Sequence, residues 1–246
     1  MNVLRRHALP FLMLSIIFLA GGCHPHKKQI PTGKAIEINN VFAHPSYHHD
    51  AITRVFLLPI ENSFQSDNVE LQRHNIAQSI MRNFAKFHYF SLSYDKTLSP
   101  ETPSIVDLTK NNFDRVSIGA LAKARNAQAI MAISVAEYRP FFPMLLHVKG
   151  SLIDAQTGQR IWEFAHVFDG NDSNIVNGMR IWWNSNMAGG SKSNRFDLNR
   201  LRPEFFMNYV FHTMAESYSS ARIANVETIE NIKAEQEKQA LKEEKR

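Results

Sequence analysis

The sequence predicts an α/β fold: a single domain with a mixed sheet, element order β-α-β-α-β-β-β-α, and helices packed on the sheet. Three observations predict it. Short apolar runs alternate with amphipathic stripes over residues 53–138, residues 144–168 switch to a two-residue alternation about a turn, and Pro203 opens a final stretch with one apolar face. Strands alternating with helices favour parallel pairing and right-handed crossovers, whereas a hairpin adds antiparallel strands.

The first strand is expected over residues 53–59, where Val55, Phe56, Leu57 and Leu58 form an apolar run closed by Pro59, the composition of a strand buried on both faces. Asp67 and Glu70 have capping-box spacing, and Val69, Ile76, Ala77, Ile80, Met81, Phe84 and Phe87 recur at helical intervals. Residues 88–94 read as the second strand. Residues 113–126 read as the second helix, with Val116, Ile118, Leu121 and Ala122 inward, and residues 127–138 as the third strand. In the hairpin Leu146, Val148, Gly150 and Leu152 alternate with polar neighbours, as do Trp162, Phe164 and Phe168. Gly158 is free to take the left-handed conformation that the turn at residues 154–159 needs. Pro203 suits the first turn of the last helix, acidic Glu204 follows it, and Phe205, Phe206, Tyr209, Val210 and Met214 form its apolar face.

The flanks carry different signals. Residues 1–22 read as an export signal, with Arg5 and Arg6 before an apolar run over residues 9–20 and small residues after it. The run is shorter than the roughly 20 apolar residues a permanent span needs. Leu19-Ala20-Gly21-Gly22-Cys23 resembles the bacterial lipobox, which implies cleavage before Cys23 and a diacylglyceryl group on its thiol. Cys23 is the one cysteine of the 246 residues, so no intramolecular disulfide forms and the core must supply stability. His24, not Asp, follows it, and the resemblance then implies anchoring at the periplasmic face of the outer membrane.

Residues 23–50 contain Pro25, Pro31, Gly33 and Pro45 among polar residues and read as a flexible tether. As a coil it averages on the order of 30 Å end to end. The α/β domain is placed at residues 51–223, with residues 170–202 as an inserted segment. Residues 224–246, with 6 Glu among them against 5 Lys and Arg, read as a charged helical tail. Without the signal the formal balance falls from +5 to +3, too mild to point to nucleic acid.

The strand Val55-Phe56-Leu57-Leu58-Pro59-Ile60-Glu61-Asn62, the helix reaching Phe87, Ala129-Ile130 in the third strand, and the hairpin Leu152-Ile153-Asp154-Ala155-Gln156-Thr157-Gly158-Gln159-Arg160-Ile161-Trp162 together resemble one superfamily. It holds the curli secretion channel lipoprotein and the outer-membrane lipoprotein activator of penicillin-binding proteins, and the likeness covers about residues 50–222. The resemblance implies a non-enzymatic, lipid-anchored protein that binds envelope partners and supports an assembly such as a peptidoglycan synthase, an appendage or a secretion machine. Two other classes stay open, an oligomeric channel subunit of the curli type and a periplasmic enzyme. Against the channel, Tyr138-Arg139-Pro140-Phe141-Phe142-Pro143 joins two strands directly, and two membrane strands of about 9 to 11 residues each have no room there.

Among candidate sites, Ile175, Val176, Met179, Trp182, Trp183 and Met187 fall on one helical face of the inserted segment. Ile175, Met179, Trp182, Trp183 and Met187 are the expected partner-docking residues, since Trp and Met are enriched at binding surfaces. The clusters His24/His26 and His44/His48/His49 with Asp50 lie in the expected tether, where nothing fixes coordination geometry, so no metal and no cofactor is expected. His166 is expected at the edge of the core. No nucleophile elbow and no His-Glu-x-x-His occurs, and turn formation accounts for Asp154, Thr157 and Gly158.

Overall fold

The computed structural model describes residues 36, 38, 40–45, 47, 49–62, 69–98, 106–108, 112–186 and 195–244. The chain divides into two compact units, Met1–Thr32 and Gly33–Arg246, and every described residue belongs to the second. Cys23, the signal and Met187 lie outside the described residues.

The expected core order is present. Strand β2 (Arg54–Leu57), helix α1 (Val69–Ala85), β4 (Ser91–Tyr94), α2 (Arg115–Ala124), β7 (Ala129–Arg139), β8 (Leu145–Asp154), β9 (Arg160–Asp169) and the last helix, α5 (Pro203–Glu244), follow one another. Smaller elements fill the gaps: β1 (Val41–Ala43), β3 (Glu61–Asn62), β5 (Val106–Asp107), β6 (Asn112–Phe113), α3 (Ser173–Asn186) and α4 (Phe196–Asn199). The main sheet has seven strands in the order β1-β9-β8-β7-β2-β4, with β3 also pairing β7. β2 runs parallel to β4 and β7, while β7, β8, β9 and β1 are antiparallel in turn. It is the mixed sheet that strand–helix alternation followed by a hairpin dictates.

Local chemistry sets the boundaries. The Asp114 side chain accepts from the Val116 N–H and caps α2. At the far end Asn126 takes φ 51° and the Ala127 N–H returns to the Ala122 carbonyl at 2.9 Å, a left-handed termination. In the β8–β9 turn Gly158 adopts φ 67°. The Asp154 carboxylate there accepts from the Gln156 N–H at 2.8 Å and the Thr157 N–H at 2.6 Å.

Both faces of the central strands are covered. One core joins Val55, Leu57, Met131, Val148 and Trp162 of the sheet to Ile76 and Ile80 of α1 and to Phe206, Val210 and Phe211 of α5. A second, smaller core joins Phe56, Ile130, Ala132 and Ile153 to Ile118 and Ala122 of α2. Burial at this density is what makes large-to-small changes costly. Between α1 and α5 the Asn208 side-chain oxygen accepts from Ser79 and Asn83 at 3.2 and 3.4 Å, so their buried polar atoms are paired.

Val116, expected on the inner face of the second helix, is 80% exposed, and two further features differ from the expectation. The stretch read as a tether up to residue 50 already contributes β1, whose Val41 stands opposite Phe164 of β9, and a turn that buries His49 against Tyr218. And α5 continues unbroken for 42 residues, about 63 Å, so the charged tail extends the packed helix without a break. Among the described residues no helix is long and apolar enough to cross a membrane.

Candidate functional site

The expected docking segment folds as helix α3. The Asp172 side chain accepts from the Asn174 N–H at 2.7 Å at its start, where an acidic group also suits the helix dipole. Ile175, Met179 and Trp182 are 3%, 1% and 7% exposed, because α3 lays this face against α5. The Trp182 ring meets Phe205 at 5.3 Å, Tyr209 at 5.9 Å and His212 at 5.8 Å between centroids. This corrects the expectation for those three residues, which serve the protein's own core and offer no surface to a partner. Trp183 stays half-buried and meets the Phe205 ring at 5.3 Å. Packing overrode the interface reading since a Trp and Met stripe has the same spacing whether a partner or the chain itself covers it.

Burial leaves electrostatic marks around this contact. The Trp182 Nε1 and His212 Nδ1 atoms are buried without a hydrogen-bond partner among the described residues. Burial, aided by the Lys86 ammonium, pushes the His212 imidazole down to about 4, so the ring is neutral at pH 7.

A groove lies farther along α5, continuing the face that α3 covers nearer the start of the helix. Ile36, Ile38 and Val41 form one wall, and Glu216, Ala221 and Asn225 stand on the helix wall, around a cavity of about 590 Å³. That volume is in the range of ligand and peptide sites, about 300 to 1000 Å³. The Asn225 amide donates to the His44 carbonyl at 2.5 Å and fastens the N-terminal segment to the helix. Two groove hydroxyls bond back to helix carbonyls, Thr213 to Tyr209 at 2.9 Å and Ser217 to Met214 at 2.7 Å, and the Glu216 carboxyl stands on the same wall. Burial raises the Glu216 carboxyl above its ordinary value. Such a lining can bind an apolar or extended chain.

A second, shallower cavity of about 490 Å³ opens where the parallel strands β2 and β4 end, beside Tyr94, Asp95 and Arg125. Open α/β sheets commonly place ligands at that edge. Here the Arg125 guanidinium is engaged, 2.6 Å from the Asp95 carboxylate and stacked over Phe56 at 5.3 Å.

The remaining sequence candidates take structural places. Burial works to raise the Asp154 carboxyl, but the Thr157 backbone and the Tyr47 hydroxyl donate to it and hold it below its ordinary value. His166 is half-buried and meets the Phe168 ring edge-on at 4.6 Å. Among the described residues no group of three His, Cys, Asp or Glu could hold a metal; His24, His26 and His48 lie outside them. Sequence reading missed the α5 groove, because nothing local signals that residues 36–45 and 213–228 meet.

No protein-family model matches the chain, and no curated protein matches it. Solved structures with a similar course of the chain include the PelC dodecamer from Paraburkholderia phytofirmans, 12% identical over 56% of this chain and 86% of that one, at a TM-score of 0.36. The hypothetical protein CT253 from Chlamydia trachomatis is 13% identical over 71% of this chain and 98% of its own, at 0.40. The LpoB C-terminal domain from Salmonella enterica is 16% identical over 48% and 84%, at 0.29. Likeness at or below 0.40 carries no functional inference, and the reading that follows comes from the chain's own residues.

Proposed function

We propose that the chain is a non-enzymatic lipoprotein of the bacterial envelope, anchored through Cys23 to the periplasmic face of the outer membrane, which binds protein partners and supports an envelope assembly. The observation that carries this reading is the place of the one cysteine, at the end of an export signal in Leu19-Ala20-Gly21-Gly22-Cys23. Several acyl chains on one residue anchor stably, where a single chain binds only marginally. In the superfamily resemblance the same arrangement of strand, helix and hairpin serves binding and assembly.

The α5 groove is the partner site of this reading. It is lined mainly by apolar and small residues, Ile36 and Ile38 among them, and its Thr213 and Ser217 hydroxyls are engaged with the helix backbone. The channel alternative gains no support from the connection between β7 and β8, which is residues 140–144 alone, too short for a membrane hairpin.

A photoreactive residue at Ser220, on the groove and exposed, tests the partner site in intact cells. It should give a discrete adduct absent when the probe stands at Val116, which is 80% exposed on α2. The same adducts from both positions, or none from Ser220, would sink the groove as a partner site.

A further inference from the structure

Phe141 and Phe142 project from the connection between β7 and β8 and are 78% and 52% exposed. Two adjacent exposed Phe rings leave apolar surface in water that burial would remove, and clustered exposure of this kind marks a contact surface. The Arg200 guanidinium lies over the Phe142 ring at 5.9 Å. It joins to the loop the segment that carries Leu198 of α4 and Leu201 in the turn after it, 70% and 45% exposed, while Arg139 ends β7 at the start of the loop. Arg200 pairs with Asp197 at 3.4 Å and Arg139 with Glu137 at 3.2 Å, so the charges of this end are balanced, and its exposed Phe and Leu side chains are of the kind that enter the acyl boundary of a membrane interface.

Topology supplies a second observation. β1 runs antiparallel to β9, and the Asn40 carbonyl accepts from the Ala165 N–H at 3.0 Å. Followed toward its N-terminus, the chain therefore runs toward Asp169, which pairs with Leu145, and Leu145 pairs with Arg139. Ile36 lies beside Gly178 of α3, the helix that follows β9. Ile36, the described residue nearest Cys23 in sequence, thus lies toward the sheet end that bears Phe141 and Phe142, with β1 and β7 three strand spacings or about 14 Å apart. Twelve residues lie between Cys23 and Ile36, and the thirteen steps span at most about 45 Å of chain.

We propose that this end of the domain, through Phe141, Phe142, Leu198 and Leu201, docks on the phospholipid surface that holds the Cys23 anchor. The proposal rests on the lipoprotein reading and adds an orientation to it: the β7–β8 loop faces the membrane, and the turn at residues 154–159 faces away.

With its one native thiol acylated, Phe141→Cys creates a single labelling site. The full lipidated protein carrying an environment-sensitive fluorophore there is reconstituted into phosphatidylethanolamine–phosphatidylglycerol vesicles with a headgroup-depth quencher. The same label at Val116→Cys is the reference, since the first turn of α2 touches the far turn through Arg115 and Thr157. Quenching at 141 is expected to be severalfold that at 116, and Phe142→Asp added to the labelled protein should remove most of it without releasing the protein. Acylated, vesicle-bound protein with equally weak quenching at both positions, or with quenching indifferent to Phe142→Asp, overturns the docking and leaves the anchor standing. An N-terminal peptide of unacylated mass overturns both.

Discussion

The hydroxyl of Tyr209 stands 2.3 Å from the point where a side-chain carbon on Gly178 would begin, and Ile36 closes the same space at 3.0 Å. Helix α3 reaches α5 through this glycine, so the absence of a side chain sets how closely the two helices pack. Alanine there would gain up to about 1 kcal/mol of helix propensity but meet an overpacking cost of about 1 to 3 kcal/mol. Gly178→Ala is expected to lose about 1 kcal/mol net and Gly178→Val more, read from urea midpoints. A stabilised valine variant would mean that the helices stand farther apart.

Trp182 and Trp183, adjacent in sequence, should behave differently. Trp182 is enclosed by Phe205, Tyr209 and His212, and Trp182→Ala is expected to cost about 3 to 5 kcal/mol of folding free energy. Trp183 keeps an open edge, and its alanine variant should lose less than about 2 kcal/mol. Thermal or urea melts of both variants check the order; equal losses would contradict the placement of α3.

Most of the sheet was legible, and the reason is local. Val55 to Leu58, the α1 stripe and the alternation from Leu146 to Phe168 each carry their period within a few residues, and these became β2, α1 and the β8–β9 hairpin. β1 was not legible: Val41, Phe42 and Ala43 become a strand only because β9 offers an open edge, a fact held 120 residues away. The helical face of α3 was readable, its destination was not, since only the fold shows that Phe205 and Tyr209 cover it. The groove on α5 and the position of Phe142 beside Arg200 are likewise products of long-range topology.

Acid should find His212. Its imidazole titrates at about 4 in the folded protein against an ordinary 6.5, so below pH 6.5 the unfolded chain takes up the proton first. The stability contributed by the neutral ring is fully present above pH 6.5 and is lost as the pH falls toward 4. His212→Phe keeps an aromatic ring between Phe87 and Trp182 and removes that titration. The stability gap between variant and native protein should move in the variant's favour from pH 7 to pH 4; parallel curves would show that His212 is open to water.

The anchor is the claim on which the functional reading stands, and the mass of the N-terminal peptide from the membrane fraction tests it most directly. The account predicts a mature chain that begins at Cys23 and carries a diacylglyceryl modification, with Cys23→Ser abolishing both cleavage and acylation. A membrane-fraction peptide that begins elsewhere, or a Cys23 with a free thiol, would contradict it.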